Sequence, residues 1–386
     1  MIRTEMKYTA SEGQKGTTSS KLFSHVRRLA IIAGILATTL ACNDPEDALV
    51  ENYKPPSGNY TNGVFVLNEG NFDWGVGTLS FFSPEKSPWI DGHRETESKI
   101  FRQINDSELG NVSQSMTIYK GKGYIVINNS ERVIVTDPGT IKWTGTIEVP
   151  GGSPRYLLPI NTKKAYLTEL YVDCVWIVDL ENEKISGKIP VSGWTEGLIL
   201  FENYALVTKK RTTKDKREGG EVLLKIDTRT DEVVDSVALP KGPSSIVMDQ
   251  RRKAWVLCDG GLQDQPNLVR LNPFTMKVEK TFPFPNEAVI APGNLRSNET
   301  ADTLYFLNGG VCRHPIDAPE LNPNAYIPQR EKFYAMDIEP GTGLIYVGDA
   351  LDYLRRGIAY RFRPNGHPVD SFRVGVIPTG FTFNQP

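Results

Sequence analysis

Tyr124-Ile125-Val126-Ile127, a polar loop, Arg132-Val133-Ile134-Val135-Thr136-Asp137 and, after a turn, Trp143–Val149 form the stretch that decides the fold. It reads as an apolar strand carrying an aromatic, a second strand closed by Asp, and a third, alternating strand. The module recurs as Ala165-Tyr166-Leu167-Thr168 with Val175-Trp176-Ile177-Val178-Asp179. It recurs again as Ala254-Trp255-Val256-Leu257 with Leu268-Val269-Arg270-Leu271-Asn272. Strand modules repeating every ~40–50 residues point to β-propeller blades. A single blade cannot bury both of its faces, so the array has to close.

Strands are named A to D from the channel outward. Residues 113–149 make one blade, with Ser115–Tyr119, Gly123–Ile127, Arg132–Asp137 and Trp143–Val149 as its strands. Further blades are expected over 153–191, 196–239, 243–284, 288–330 and 333–374. In the 288–330 blade the outer part, Pro315 to Pro328, is too proline-rich for a regular edge strand. The two chain ends supply the remaining blade. Gly63–Leu67 and Thr78–Phe82 read as B and C strands with no A strand before them, and Gly380–Phe383 reads as the missing A strand. The expected fold is all-β, a seven-bladed β-propeller over 61–386 closed by N- and C-terminal strands pairing in one blade. No helix-period run of useful length follows residue 60.

Composition agrees with a soluble globular domain. The 386 residues carry a formal net charge of −2, with 23% charged and 39% hydrophobic residues, so no basic excess points to nucleic acid. The 34 glycines and 26 prolines suit a turn-rich β protein. Residues 1–41 read as a lipoprotein signal peptide. Lys21, Arg27 and Arg28 precede the apolar run Leu29 to Leu40, which is too short to span a bilayer with its flanks. Thr39-Leu40-Ala41-Cys42 resembles a bacterial lipobox, with Thr where Leu is commonest, so Cys42 is the expected lipidation site. The long polar leader also suits translation starting at Met6. Residues 42–60 read as the lipidated Cys and a flexible tether; its Asn43-Asp44-Pro45-Glu46-Asp47 is either an acidic surface-export signal or plain solvated chain. Cys174, Cys258 and Cys312 are far apart with no C-x-x-C, which reads as small hydrophobes beside strands and leaves one disulfide among them open.

In a propeller the D–A connections and B–C loops share one face, and loops carry function on a rigid scaffold. Here they hold aromatics, amides and charges. The four His (His25, His93, His314, His367) stand at no metal-ligand spacing, and no G-x-S-x-G, P-loop or dinucleotide fingerprint occurs. Glu69, Glu169, Glu196 and Asp259 either converge as acid–base carboxylates or hydrogen-bond to loop backbone and ligand amides. The charged loop from Lys209 to Arg217 is a solvated hairpin tip or a docking arm. Arg155 binds an anion or clamps a neighbouring carboxylate. Trp74 and Trp194, in Gly-flanked loops, contact ligand or pack on a neighbouring loop.

Gly63-Val64-Phe65-Val66-Leu67-Asn68-Glu69-Gly70-Asn71-Phe72, Gln114–Tyr119, Val126–Ser130, Gly152-Ser153-Pro154-Arg155-Tyr156 and Gly193-Trp194-Thr195-Glu196-Gly197 resemble one family. It is the YncE-like seven-bladed propeller surface lipoproteins of Gram-negative gut anaerobes, several of them cobalamin-binding proteins of the BtuG type. The similarity is strongest over 63–200; residues 202–222 and 308–332 diverge. The resemblance implies an outer-membrane, cell-surface lipoprotein, held to the membrane through its lipid anchor only. It would capture cobalamin (vitamin B12) and deliver it to a TonB-dependent outer-membrane transporter, without catalysis, metal or cofactor of its own. For such a ligand Trp74, Tyr171, Trp194 and Tyr353 are expected on the apolar faces. Asn68, Asn129, Glu196 and Asp259 are expected at the amide rim, and Arg155 or Lys209 at the phosphate. The competing expectations are a surface-layer or adhesion propeller without a small ligand, and a propeller lyase or hydrolase.

Overall fold

The computed structural model describes residues 60–71, 75–210, 221–261, 264–285, 292–322 and 324–385. The signal segment, Cys42, the tether through residue 59, Trp74 and the loop 211–220 lie outside the described residues. Seven sheets are present among the described residues, antiparallel except for one parallel bridge at the edge of blade 7. Blade 1 is the closing blade: Gly63–Asn68 pairs on one side with Thr78–Phe82 and on the other with the C-terminal strand Pro378–Asn384. Blades 2 to 5 are regular four-stranded sheets, opening with A strands Ser113–Tyr119, Pro154–Pro159, Trp194–Phe201 and Pro243–Met248. Blade 6 opens with Gly293–Ser297 and ends in a D strand of only Ile327–Pro328, as its prolines require. Blade 7 opens with Phe333–Ile338. The A strands touch one another in cyclic order, so the sheets form a closed ring around a central channel.

The B strands explain why the repeat was so visible. Each is buried on both faces, and its alternate residues enter two different blade junctions. Phe65 and Leu67 pack toward blade 2, while Val64 and Val66 pack toward blade 7. One apolar cluster fills each of the seven junctions. The Asp or Asn that closes the C strands is a turn cap. Asp137 accepts from the Gly139 and Thr140 backbone N–H groups at 3.0 and 2.8 Å, and Asp179 and Asn272 repeat the contact.

The segment between blades 1 and 2 departs from the repeat. Blade 1 has no D strand; Glu97 makes a single bridge to Phe81. The chain then forms a six-residue helix, Ile100–Asn105, whose Ile100 and Phe101 are buried in the junction with blade 2. At one turn and a half it is shorter than any run of useful helical period, and the fold stays all-β. A hairpin of Trp89–Ile90 and His93–Arg94 crosses instead to the outer edge of blade 7, where Arg94 bridges Phe372. Phe82 stacks on Phe372 at 3.9 Å, and Glu95 pairs with Arg356 at 2.5 Å. The ring is thus fastened twice at the same junction. Cys174, Cys258 and Cys312 are all buried and free, so no disulfide forms among them.

His314 on blade 6 is 1% exposed and lies against the rings of Trp255 and Phe282. Neither ring nitrogen has a hydrogen-bond partner among the described residues. Burial first, then Lys280 and Arg270, push its pKa down to about 4. A folded-state pKa below the unfolded one means the unfolded chain takes up the proton first. Stability should therefore fall as pH drops from about 6.5 toward 4, by up to roughly 3 kcal/mol. Urea melts at pH 7 and pH 4.5 read this: His314→Leu should flatten the difference, and an unchanged difference would show that other groups carry it.

Candidate functional site

Two adjacent positions at the ends of the B strands build the channel mouth. In blades 1, 3 and 7 the inner one clamps a D–A connection; in blades 2, 5 and 6 it is Ile127, Cys258 and Leu307. Asn68 is buried; it accepts from Gly375 N–H at 2.9 Å and donates to Ser80 Oγ at 3.0 Å. Asp349 accepts from Lys332 N–H at 2.7 Å, and in blade 2 the following residue, Asn128, takes over the clamp and donates to the Pro154 carbonyl at 3.0 Å. Glu169, 0% exposed, accepts from the backbone N–H groups of Ser153, Leu170 and Tyr171 at 2.6–2.8 Å and from Trp176 Nε1 at 2.9 Å. These groups hold the loops of the mouth in place. The next residue along the B strand faces the mouth: Glu69, Lys210 and Asp259 stand at that position in blades 1, 4 and 5.

The channel opens into a cavity of about 510 Å³ walled by the A strands. Charged groups meet across neighbouring blades. Arg155 Nε donates to Glu196 Oε2 at 3.1 Å, Lys210 Nζ to Asp259 Oδ2 at 2.9 Å, and Arg296 Nε lies 3.0 Å from Asp337 Oδ2. Arg155 also donates from Nη1 to Gln114 Oε1, and Gln114 in turn reaches Tyr156 OH at 3.3 Å. Burial opposes the charge of Arg155, but Glu196, Tyr156 and Glu69 hold its guanidinium firmly ionised. Glu69 is different. Burial raises its pKa above the ordinary carboxyl value, against the hydrogen bond from Tyr334 OH at 2.8 Å and the field of Arg155. Above the cavity the rim carries apolar surface. Tyr171 is 58% and Leu354 70% exposed, Trp194 is half-buried, and Tyr353 sits edge-on to Tyr334 at 6.0 Å. Gly193, at φ 106°, gives its N–H to Asp173 Oδ1 at 3.0 Å and so fixes the connection that presents Trp194.

The expected residues divide accordingly. Arg155, Glu196 and Asp259 line the cavity. Arg155 clamps a carboxylate, the second of its two readings. Tyr171, Trp194, Tyr353 and the exposed Asn129 lie on the rim. Asn68 is corrected to a buried clamp. Lys209 is corrected as well. It shares its strand face with Ala205 and Val207, which pack toward blade 3; it is buried there, and burial lowers its pKa. Its neighbour Lys210 takes the place in the cavity, because side chains alternate along a strand. Among the four carboxylates, Glu169 bonds loop backbone. His367 lies on a C–D turn of the opposite face. The residues missed were Gln114, Lys210, Tyr334 and the Arg296–Asp337 pair. The last two stand at matching positions of adjacent A strands, opposite Tyr305 and Tyr346 of their B strands, and that register was the available signal.

A family model described as a domain of unknown function (DUF5074) matches residues 62–349, well over half of the chain. No curated protein matches the sequence. Among solved structures the chain is similar to a quinonprotein alcohol dehydrogenase-like protein from Bacteroides thetaiotaomicron, with 15% identity and TM-score 0.62, covering 84% of this chain and 79% of that one. It is similar also to a protein from Bacteroides uniformis provisionally named a 6-phosphogluconolactonase, with 12% identity and TM-score 0.60, covering 83% and 98%. Likeness at such identity shows a shared propeller fold and leaves the chemistry of the mouth to be argued from its own residues.

Proposed function

We propose that this chain, which belongs to the family described as a domain of unknown function (DUF5074), is a ligand-capture propeller of the cell surface whose ligand is a cobamide. One observation carries the reading: a rim with exposed aromatic and apolar side chains surrounds a narrower, charge-paired cavity. That shape suits a ligand with a broad body and a smaller polar arm. The corrin ring of a cobamide is such a body, edged with amides, and its nucleotide tail is such an arm. Trp194, Tyr171 and Tyr353 would pack on the body, and Asn129 would meet the amides of the edge. The cavity argues against a surface-layer role, which needs a flat or plugged face. The ligand would pass to a TonB-dependent transporter. The first described residue, Tyr60, is bonded to Gly139 on a C–D turn, so the chain enters on the face opposite the mouth.

Equilibrium titration of the purified mature chain with cyanocobalamin, followed by heat or tryptophan fluorescence, tests the ligand. Binding at micromolar concentrations or tighter is expected; its absence would remove the cobamide and leave a capture propeller for another molecule. Surface anchoring has its own test. Labelled lipid should attach to the wild type and not to Cys42→Ala, and protease added to intact cells should remove the wild-type protein. Protection until lysis would place it on the periplasmic side.

One observation favours a second, catalytic reading. Glu69, with its raised pKa, and Glu196, paired with Arg155, both act on the same guanidinium from different blades. Two carboxyl groups in unlike surroundings are the raw material of acid–base catalysis. Turnover of a lactone by the wild type and its loss in Glu69→Gln would establish this reading over capture.

A further inference from the structure

We infer that the channel below the mouth is an oxyanion site, formed by Arg155 of blade 3 and Arg296 of blade 6 on opposing walls. This rests on the mouth being a ligand site and not on the ligand being a cobamide. Both arginines stand on A strands, line the cavity, and keep 21% and 34% of their side-chain surface open. At the centre of the ring that open surface belongs to the channel. The phenol of Tyr156 lies within electrostatic range of both guanidinium groups, although they come from opposite sides.

The hydrogen bonds leave donors over. Arg155 uses Nε on Glu196 and Nη1 on Gln114. Arg296 uses Nε on Asp337 and Nη1 on the Leu295 carbonyl at 3.0 Å. Nη2 of each makes no hydrogen bond among the described residues. Lys210 has given Asp259 one of the three N–H bonds that an ammonium carries. The carboxylates beside these cations are already engaged. Asp259 takes Lys210 on one oxygen and Gly261 N–H on the other, and Asp337 takes Arg296 and Ile338 N–H. Guanidinium N–H groups left unused on two walls of one cavity are matched by a group rich in acceptors. A phosphate or carboxylate fits the planar guanidinium fork on two oxygens at once. The paired carboxylates temper the attraction, so affinity for a free anion should be in the millimolar range.

The probe is inorganic phosphate, with sodium chloride at matched ionic strength as reference. About 20 mM phosphate should raise the melting temperature of the wild-type chain by ~1–3 °C. Arg296→Lys keeps a charge opposite Asp337 but loses the fork, and should lose most of that rise. General salting-out by phosphate acts equally on both proteins and cancels in the comparison. Should Arg296→Lys fail to fold, the paired change Arg296→Leu with Asp337→Leu removes the site without leaving a lone charge. Dimethyl phosphate separates the sources: protection by it as well points to a diester arm of a larger ligand, protection by inorganic phosphate alone to a free anion, and either supports the site. Equal melting temperatures of the wild type in phosphate and chloride, or equal protection of wild type and variant, overturns it. Failure of cyanocobalamin to bind leaves this comparison unaffected.

Discussion

A chain that stops at Ile377 is expected to lose its cooperative unfolding transition altogether. The missing strand, Pro378–Asn384, is the A strand of blade 1 and pairs along the whole of Gly63–Asn68. Without it the B strand of blade 1 presents a bare edge to the channel. The junction with blade 7 loses Phe381 and Phe383, whose rings lie 5.7 and 5.1 Å from that of Tyr346. The junction with blade 2 loses the bond from Thr382 Oγ1 to the Met116 carbonyl at 3.0 Å. A domain is stable by only about 5–15 kcal/mol, and opening two of its junctions exceeds that margin. Calorimetry of the truncated chain should show no sharp transition. A transition within a few degrees of the full chain would mean that the 83–112 strap alone closes the ring.

Trp194→Ala should weaken cyanocobalamin binding by about thirtyfold, corresponding to roughly 2 kcal/mol. Trp194 opens the A strand of blade 4, where its backbone pairs with Lys210, and Gly193 pins the preceding turn to Asp173. The ring is therefore presented on a rigid support, and little entropy is lost when a ligand packs on it. Thermal stability should change much less than affinity, since the side chain is half-buried at the rim and absent from the junction clusters. A change of less than threefold in affinity would place Trp194 in loop packing, the other role its sequence allows.

The fold was legible because B strands buried on both faces write the same apolar run in every blade, and because Gly380–Phe383 had no partner but Gly63–Leu67. The inner lining of the mouth is legible to about one residue. Sequence reading favours Asn68 and Lys209, and the fold turns Glu69 and Lys210 toward the mouth. Each pair straddles the end of a B strand, and nothing in the local sequence says which of two polar neighbours turns toward the channel and which clamps the connection. Arg296 is illegible for another reason: its surroundings, Asp337 of the next blade and the field of Tyr156 across the channel, exist only once the ring has closed. The strap between blades 1 and 2 follows no repeat, and its helix of six residues is too short to show a period.

Hydrogen–deuterium exchange of the mature chain with and without cyanocobalamin tests the capture face most directly. Ligand should slow exchange in the loops at 128–130, 169–173, 193–197 and 349–356, and leave the turns at 161–163 and 250–252 unchanged. Protection confined to those opposite turns, or none at ligand concentrations that saturate binding, would contradict the assignment of the mouth as the place where this propeller takes its ligand.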